Sequence, residues 1–242
     1  MIKALLARLK QGRWTMPFPS DGIKLPPRYR GLPRIRSLNL EKAAAACPYG
    51  AISAGQGLDM GRCIFCGDCA RAAPDAVEFT GEYRLCASQR RDLLLTEKEF
   101  KRAETLTRDL LKIFGRSFKL RQVSAGGCAA CEADCNVLQT IGFDLGRFGV
   151  QFVSSPRHAD GLLVTGPVTK NMELALKKTY AAMPSPKAVI ACGACAIAGG
   201  PYAGHEECLG IPPEIPVDLY IPGCPPHPLT ILDGILRLIG RA

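Results

Sequence analysis

An α/β architecture, a parallel sheet with helices on both faces, is what the carboxyl-terminal half of this 242-residue chain predicts. Short apolar runs recur at 118–123, 150–154, 161–164, 188–191 and 217–221. Helical periodicity lies between them or after them: from Cys131, over 169–183 and over 229–239. Strands this apolar need cover on both faces, which crossover helices of a parallel sheet provide. The 47% hydrophobic share is enough for packed cores.

In chain order, residues 1–10 place Ile2, Leu5, Leu6 and Leu9 on one helical face, with Lys3, Arg8 and Lys10 elsewhere and Trp14 close behind. This is an interfacial amphipathic pattern, suited to docking on a membrane subunit or a lipid surface; a surface helix packed on its own domain would look similar. Pro17, Pro19, Pro26, Pro27 and Pro33 follow, predicting an extended arm that carries the helix away from the body. Of the net charge of +9, the first 36 residues hold +8, from nine Lys or Arg against Asp21. The interleaved prolines and the lack of a nucleic-acid-binding motif argue against a nucleic-acid partner. No apolar run reaches the roughly 18 residues of a membrane-spanning helix.

Twelve cysteines suggest either a disulfide framework or metal centres. No signal-peptide pattern opens the chain, and Cys63-x-x-Cys66-x-x-Cys69 is awkward for disulfides. A reducing, cytoplasmic compartment is therefore expected. Residues 96–118 begin with a capping-box pattern at Thr96 and Glu99 and carry Phe100, Ala103, Leu106, Leu110 and Ile113 at helical spacing, predicting a linking helix that stops at Gly115.

Cys128 and Cys131, in Gly126-Gly127-Cys128-Ala129-Ala130-Cys131-Glu132, need two further thiolates, and Cys195 and Cys224 supply them. Cys128, Cys195 and Cys224 each follow a predicted strand, so a parallel sheet brings all three to one edge, where such sheets bind their ligands. Soft iron–sulfur centres select thiolates. Zinc accepts the same four, and buried free thiols are the third possibility.

From Ser37 to Phe79 the chain resembles a bacterial ferredoxin that has lost one of two clusters. That family's run is C-x-x-C-x-x-C-x-x-x-C-P, with the fourth cysteine of each run serving the other cluster. Here the second run keeps Cys63, Cys66 and Cys69 but has Ala73 before Pro74, while the first keeps only Cys47 before Pro48, with Ser37, Leu40 and Ala43 at the other places. All four absent ligands belong to one cluster. Cys47, Cys63, Cys66 and Cys69 are therefore expected to hold the other, with Cys86 a rival better read as a buried thiol.

The carboxyl half, with the motif at Cys128 together with Ser155-Pro156-Arg157-His158-Ala159-Asp160, Thr165-Gly166-Pro167, Gly193-Ala194-Cys195-Ala196 and Ile221-Pro222-Gly223-Cys224-Pro225-Pro226, resembles the small subunits of membrane-bound, complex I-like (group 4) nickel–iron hydrogenases. It resembles the quinone-proximal subunit of complex I more distantly, because two alanines separate the first cysteines here. The amino-terminal half, including the arm ending in Tyr29-Arg30-Gly31, resembles the ferredoxin-like subunit of the same complexes. The resemblance implies a flavodoxin-like domain over 119–242, a ferredoxin-like domain over 37–95, an arm over 1–36 and a linker over 96–118.

It also implies two 4Fe-4S clusters, one at Cys47, Cys63, Cys66 and Cys69, and the proximal one at Cys128, Cys131, Cys195 and Cys224. The implied role is electron transfer between an external donor or acceptor subunit and a catalytic hydrogenase large subunit, beside ion-pumping membrane subunits, on the cytoplasmic face of the membrane. The alternative is the equivalent subunit of a complex I relative acting on quinone or a sulfur compound. Cys135, Cys192 and Cys208 are bystanders on this reading. Glu132, Arg157 and His158 are candidates for tuning.

Overall fold

The structure, a computed structural model, describes residues 2–12, 14–19, 23–114 and 116–242. Gly115, the expected helix stop, lies outside these.

The chain opens with α1 (Ile2–Gln11), which buries none of its residues. An antiparallel pair, β1 (Pro33–Ile35) and β4 (Val77–Phe79), encloses α2 (Glu41–Ala45), the hairpin of β2 (Ile52–Ser53) and β3 (Gly57–Asp59), and α3 (Asp68–Ala72). The strand β5 (Leu94–Leu95) then pairs with β3. These short elements form a small α+β unit around Leu40, Leu58, Met60, Val77 and Leu93. Because β1 pairs with β4, the unit begins before residue 37.

Two expectations need correction. Among the described residues of the linking segment, only 108–114 form a helix, α4 (Arg108–Phe114). Upstream amides bond to remote acceptors instead: Ala103 N–H to the Cys86 carbonyl at 2.7 Å, Glu104 N–H to Ser88 Oγ at 2.8 Å and Leu106 N–H to the Leu238 carbonyl at 2.9 Å. An amide engaged across the chain cannot also close a helical turn. The proline-rich arm, likewise, does not stand away from the body. Phe18 is buried against Tyr83 and Phe148, and the Met16 backbone exchanges hydrogen bonds with the Gly142 carbonyl and the Arg147 guanidinium.

The rest is the expected flavodoxin-like α/β domain. In chain order it runs β6 (Phe118–Ser124), α5 (Ala130–Val137), β7 (Val150–Phe152), β8 (Gly161–Thr165), α6 (Lys170–Ala182), β9 (Ala188–Cys192), α7 (Ala194–Ala198), β10 (Leu219–Ile221) and α8 (Pro228–Leu238). The sheet is parallel throughout, in the order β10-β9-β8-β6-β7. Alternate residues serve its two faces: Leu163 and Ile190 pack with residues of α5 and α8, whereas Leu162, Val164 and Val189 pack with Leu176 of α6. Strand order reverses between β6 and β8, so the crevice at their carboxyl ends is where a doubly wound sheet places its ligand.

The two units are joined by backbone as well as by side chains. Ala87 pairs with Tyr220 on the outer edge of β10 through bonds of 2.8 and 3.1 Å, covering that exposed edge. The main core contains Phe18, Tyr83, Cys86 and Ala103 beside Ile221, Ile231 and Ile235.

Candidate iron–sulfur sites

The switch-point crevice gathers Cys128, Cys131, Cys195 and Cys224. Ser124 ends β6, and the loop beyond it turns at Ala129, which holds a left-handed φ of 67° before α5 starts. That conformation costs a non-glycine residue about 1–2 kcal/mol, so the surroundings must impose it. Cys195 sits in the first turn of α7, straight after β9, and Cys224 follows β10. Gly193, with φ 92°, lies so close to Cys131 that a Cβ there would stand 2.6 Å from the sulfur. Burial raises the Cys195 pKa to about 11, with smaller contributions from the neighbouring Cys224 and Cys128 thiols. Burial also raises Cys131, which has Glu132, Cys195, Cys135 and Cys224 around it. Cys128 and Cys224 are exposed.

The second set is Cys47, Cys63, Cys66 and Cys69, which line one pocket with apolar walls that include Ile52, Leu58 and Phe79. Cys63 and Cys69 are buried. Burial raises Cys63 to about 12, with the Phe65 amide opposing and the thiols of Cys69, Cys47 and Cys66 adding to the rise. Phe65, between Cys63 and Cys66, repeats the Ala129 feature with φ 58°, and its amide donates to Cys63 Sγ at 3.3 Å. The Ala51 amide donates to Cys47 Sγ at 3.3 Å.

Both sets suit an iron–sulfur guest by donor chemistry. Each offers four neighbouring thiols, those of the amino-terminal set in a sheltered pocket and two of the carboxyl-terminal set at the surface; each contains a strained turn inside its Cys-x-x-Cys, and buried thiols that resist ionisation alone give up their protons to a bound metal. Among the described residues, no three His, Cys, Asp or Glu side chains converge to hold a lone metal ion.

The remaining candidates fall elsewhere. Cys86 is buried beneath α8, where its thiol donates to the Thr230 carbonyl at 3.3 Å. Cys135 and Cys192 are buried beside each other, and half-buried Cys208 neighbours Cys195. Burial works to raise the Glu132 pKa, but hydrogen bonds from Ser124 and Thr165, the latter at 2.6 Å, outweigh it and keep the carboxyl low. Arg157 and His158 lie on an exposed turn after β7. Residue spacing gave no warning of Arg30 and His227: Arg30 contacts the Cys63–Cys66 turn and His227 caps α8 just after Cys224. Their only signal was proximity to the Tyr29-Arg30-Gly31 and Cys224-Pro225-Pro226 motifs.

The family described as NADH ubiquinone oxidoreductase, 20 kDa subunit, matches residues 128–238. A probable membrane-bound hydrogenase subunit of Pyrococcus furiosus is 42% identical over 150 residues, covering 61% of this chain and 89% of that one. An NADH-quinone oxidoreductase subunit of Citrifermentans bemidjiense is 45% identical over 112 residues, covering 46% of this chain and 66% of that one. A solved structure of the membrane-bound sulfane sulfur reductase, an archaeal respiratory membrane complex, aligns with a TM-score of 0.47 at 35% identity, over 54% of this chain and 72% of that one. This chain belongs to the family of the 20 kDa subunit of NADH ubiquinone oxidoreductase, and its relatives are subunits of oxidoreductase complexes.

Proposed function

We propose that the chain is the electron-transfer subunit of a membrane-bound, complex I-like (group 4) nickel–iron hydrogenase, built as a fusion of a ferredoxin-like subunit with the small, proximal-cluster subunit. Two 4Fe-4S clusters, held by Cys47, Cys63, Cys66 and Cys69 and by Cys128, Cys131, Cys195 and Cys224, supply one-electron carriers. The observation that carries the reading is the gathering of eight thiols into two sets of four, each with a left-handed residue inside its Cys-x-x-Cys. The chain's residues then do three things: the thiols provide the charge, the Ala51 and Phe65 amides donate to sulfur, and Ile52, Leu58 and Phe79 keep water from the amino-terminal set.

The exposure of Cys128 and Cys224 supports a partner over the carboxyl-terminal set, since water around a cluster alters its potential. That partner is the catalytic large subunit, with ion-pumping subunits in the membrane beside it and an external donor or acceptor subunit at the amino-terminal set. The complex then lies on the cytoplasmic face, and α1 provides a peripheral attachment.

The hydrogenase reading is supported by a match over 89% of the Pyrococcus subunit. A second reading, the equivalent subunit of a quinone-reducing complex, is favoured by the 45% identity to the Citrifermentans NADH-quinone oxidoreductase subunit. Iron and acid-labile sulfide quantitation with low-temperature electron paramagnetic resonance of the reduced complex tests the wire. About eight iron atoms per chain are expected, four for each cubane. Zinc without sulfide would reject it, and twelve iron atoms would mean that some of Cys86, Cys135, Cys192 and Cys208 ligate a third cluster. Nickel in the copurified large subunit, with hydrogen evolution, selects the hydrogenase; its absence, with quinone reduction, selects the second reading.

A further inference from the structure

Between the two thiol sets lies a cleft of about 440 Å³ whose walls come from both: Ile64 and Phe65 on one side, and Cys224 and Pro225 on the other. The arm residues Tyr29 and Arg30 also line it. Tyr29 faces the carboxyl-terminal set, with its ring 5.2 Å from that of His227 and its hydroxyl 3.4 Å from Thr230 Oγ1. Arg30 faces the other way. Its guanidinium donates to the Phe65 carbonyl at 3.2 Å and lies over Gly67, where a Cβ would stand 2.6 Å from Arg30 Nε. Gly67, with φ 82°, also lines the pocket of Cys47, Cys63, Cys66 and Cys69, so one glycine separates the cation from those thiols. Asp68, the carboxylate of this loop, is engaged by Arg71, and among the described residues Arg30 forms no ion pair.

Reduction adds an electron to a centre already bearing four thiolates, and a fixed cation beside it stabilises the reduced form. We propose that Arg30 is a positioning residue that raises the reduction potential of the cluster at Cys47, Cys63, Cys66 and Cys69 and fixes the strained turn at Phe65. This inference rests on the iron–sulfur reading above. Because the Arg30 side chain is exposed, dissolved ions screen its charge.

The experiment is a redox titration of the intact complex, followed by electron paramagnetic resonance, for wild type, Arg30→Gln and Arg30→Lys at low and high salt. Gln keeps an N–H for the Phe65 carbonyl but no charge; Lys keeps the charge but loses the planar fork. In Arg30→Gln the midpoint of the amino-terminal signal falls while the other signal stays in place. The wild-type midpoint drifts toward the Gln value as salt rises, and Arg30→Lys remains near wild type. An unchanged midpoint in Arg30→Gln overturns the proposal, as does loss of iron from this site in both variants, which would make the side chain a folding element. If Arg30→Gln alone loses iron, Arg30→Lys decides: a wild-type midpoint with the same salt dependence supports the proposal, and a displaced one overturns it. Wild-type protein without acid-labile sulfide would instead defeat the iron–sulfur reading itself.

Discussion

Cys47 and Cys86 are comparable candidates by distance along the chain, sixteen residues before Cys63 and seventeen after Cys69. Their surroundings separate them. Cys47 shares a pocket with Cys63, Cys66 and Cys69, whereas the Cys86 thiol is bonded to Thr230 under α8. Cys47→Ser is expected to leave a three-iron cluster or an empty site, read as loss of the wild-type paramagnetic signal. Cys86→Ser should keep that signal, since its hydroxyl can still donate to the Thr230 carbonyl, and should cost stability by about 1 kcal/mol. In both variants the signal from the carboxyl-terminal set persists. The reverse pattern, with Cys86→Ser losing the signal and Cys47→Ser keeping it, would remove the half-lost ferredoxin as an explanation.

Helix α1 exposes its whole apolar face, with Ile2 75% and Leu9 73% accessible and Trp14 68% accessible just beyond it. The docked arm makes this more informative, because Phe18 and Met16 fix the segment to the body while the helix before it buries nothing. An apolar face with Lys3, Arg8 and Lys10 beside it suits an anionic membrane interface. Deleting residues 2–11 should leave iron content unchanged and shift the chain from the membrane fraction to the supernatant. Raised salt should weaken attachment only in part, since it screens the basic residues and leaves the apolar contact. Equal membrane association with and without the helix would exclude an anchoring role.

Across the whole molecule, the shared core matters more than a boundary between halves. Gly234 on α8 packs against Cys86, and a Cβ there would meet its sulfur at 2.5 Å. Gly234→Ala therefore overfills the junction, at a cost of about 1–3 kcal/mol. For a chain of this length that lowers Tm by roughly 2–4 °C per kcal/mol. Calorimetry should show one transition moving down as a unit, because Phe18, Tyr83, Cys86 and Ala103 belong to the same core as α8. Two separated transitions, with only one of them shifted, would show that the halves fold independently.

The alternation of apolar strands and helices from residue 118 onward was legible in the residues, and each of those elements forms within a few positions of its expected place. Periodicity and chain order are local properties, and a parallel sheet allows few arrangements of them. Among the eight grouped cysteines, Cys63, Cys66, Cys69, Cys128 and Cys131 were marked by spacing and Cys195 and Cys224 by following strands, whereas Cys47 was marked by the ferredoxin resemblance. Other features depended on partners far along the chain. Residues 96–107 carry a helical pattern, but the amides of Ala103, Glu104 and Leu106 are taken by Cys86, Ser88 and Leu238. The arm carries prolines suited to extension, but Phe18 finds a pocket between Tyr83 and Phe148. Arg30 is one of nine basic residues in a charged arm until the fold sets it over Gly67. Tertiary structure decided these because hydrogen-bond partners and burial are set by neighbours in space, which no local pattern encodes.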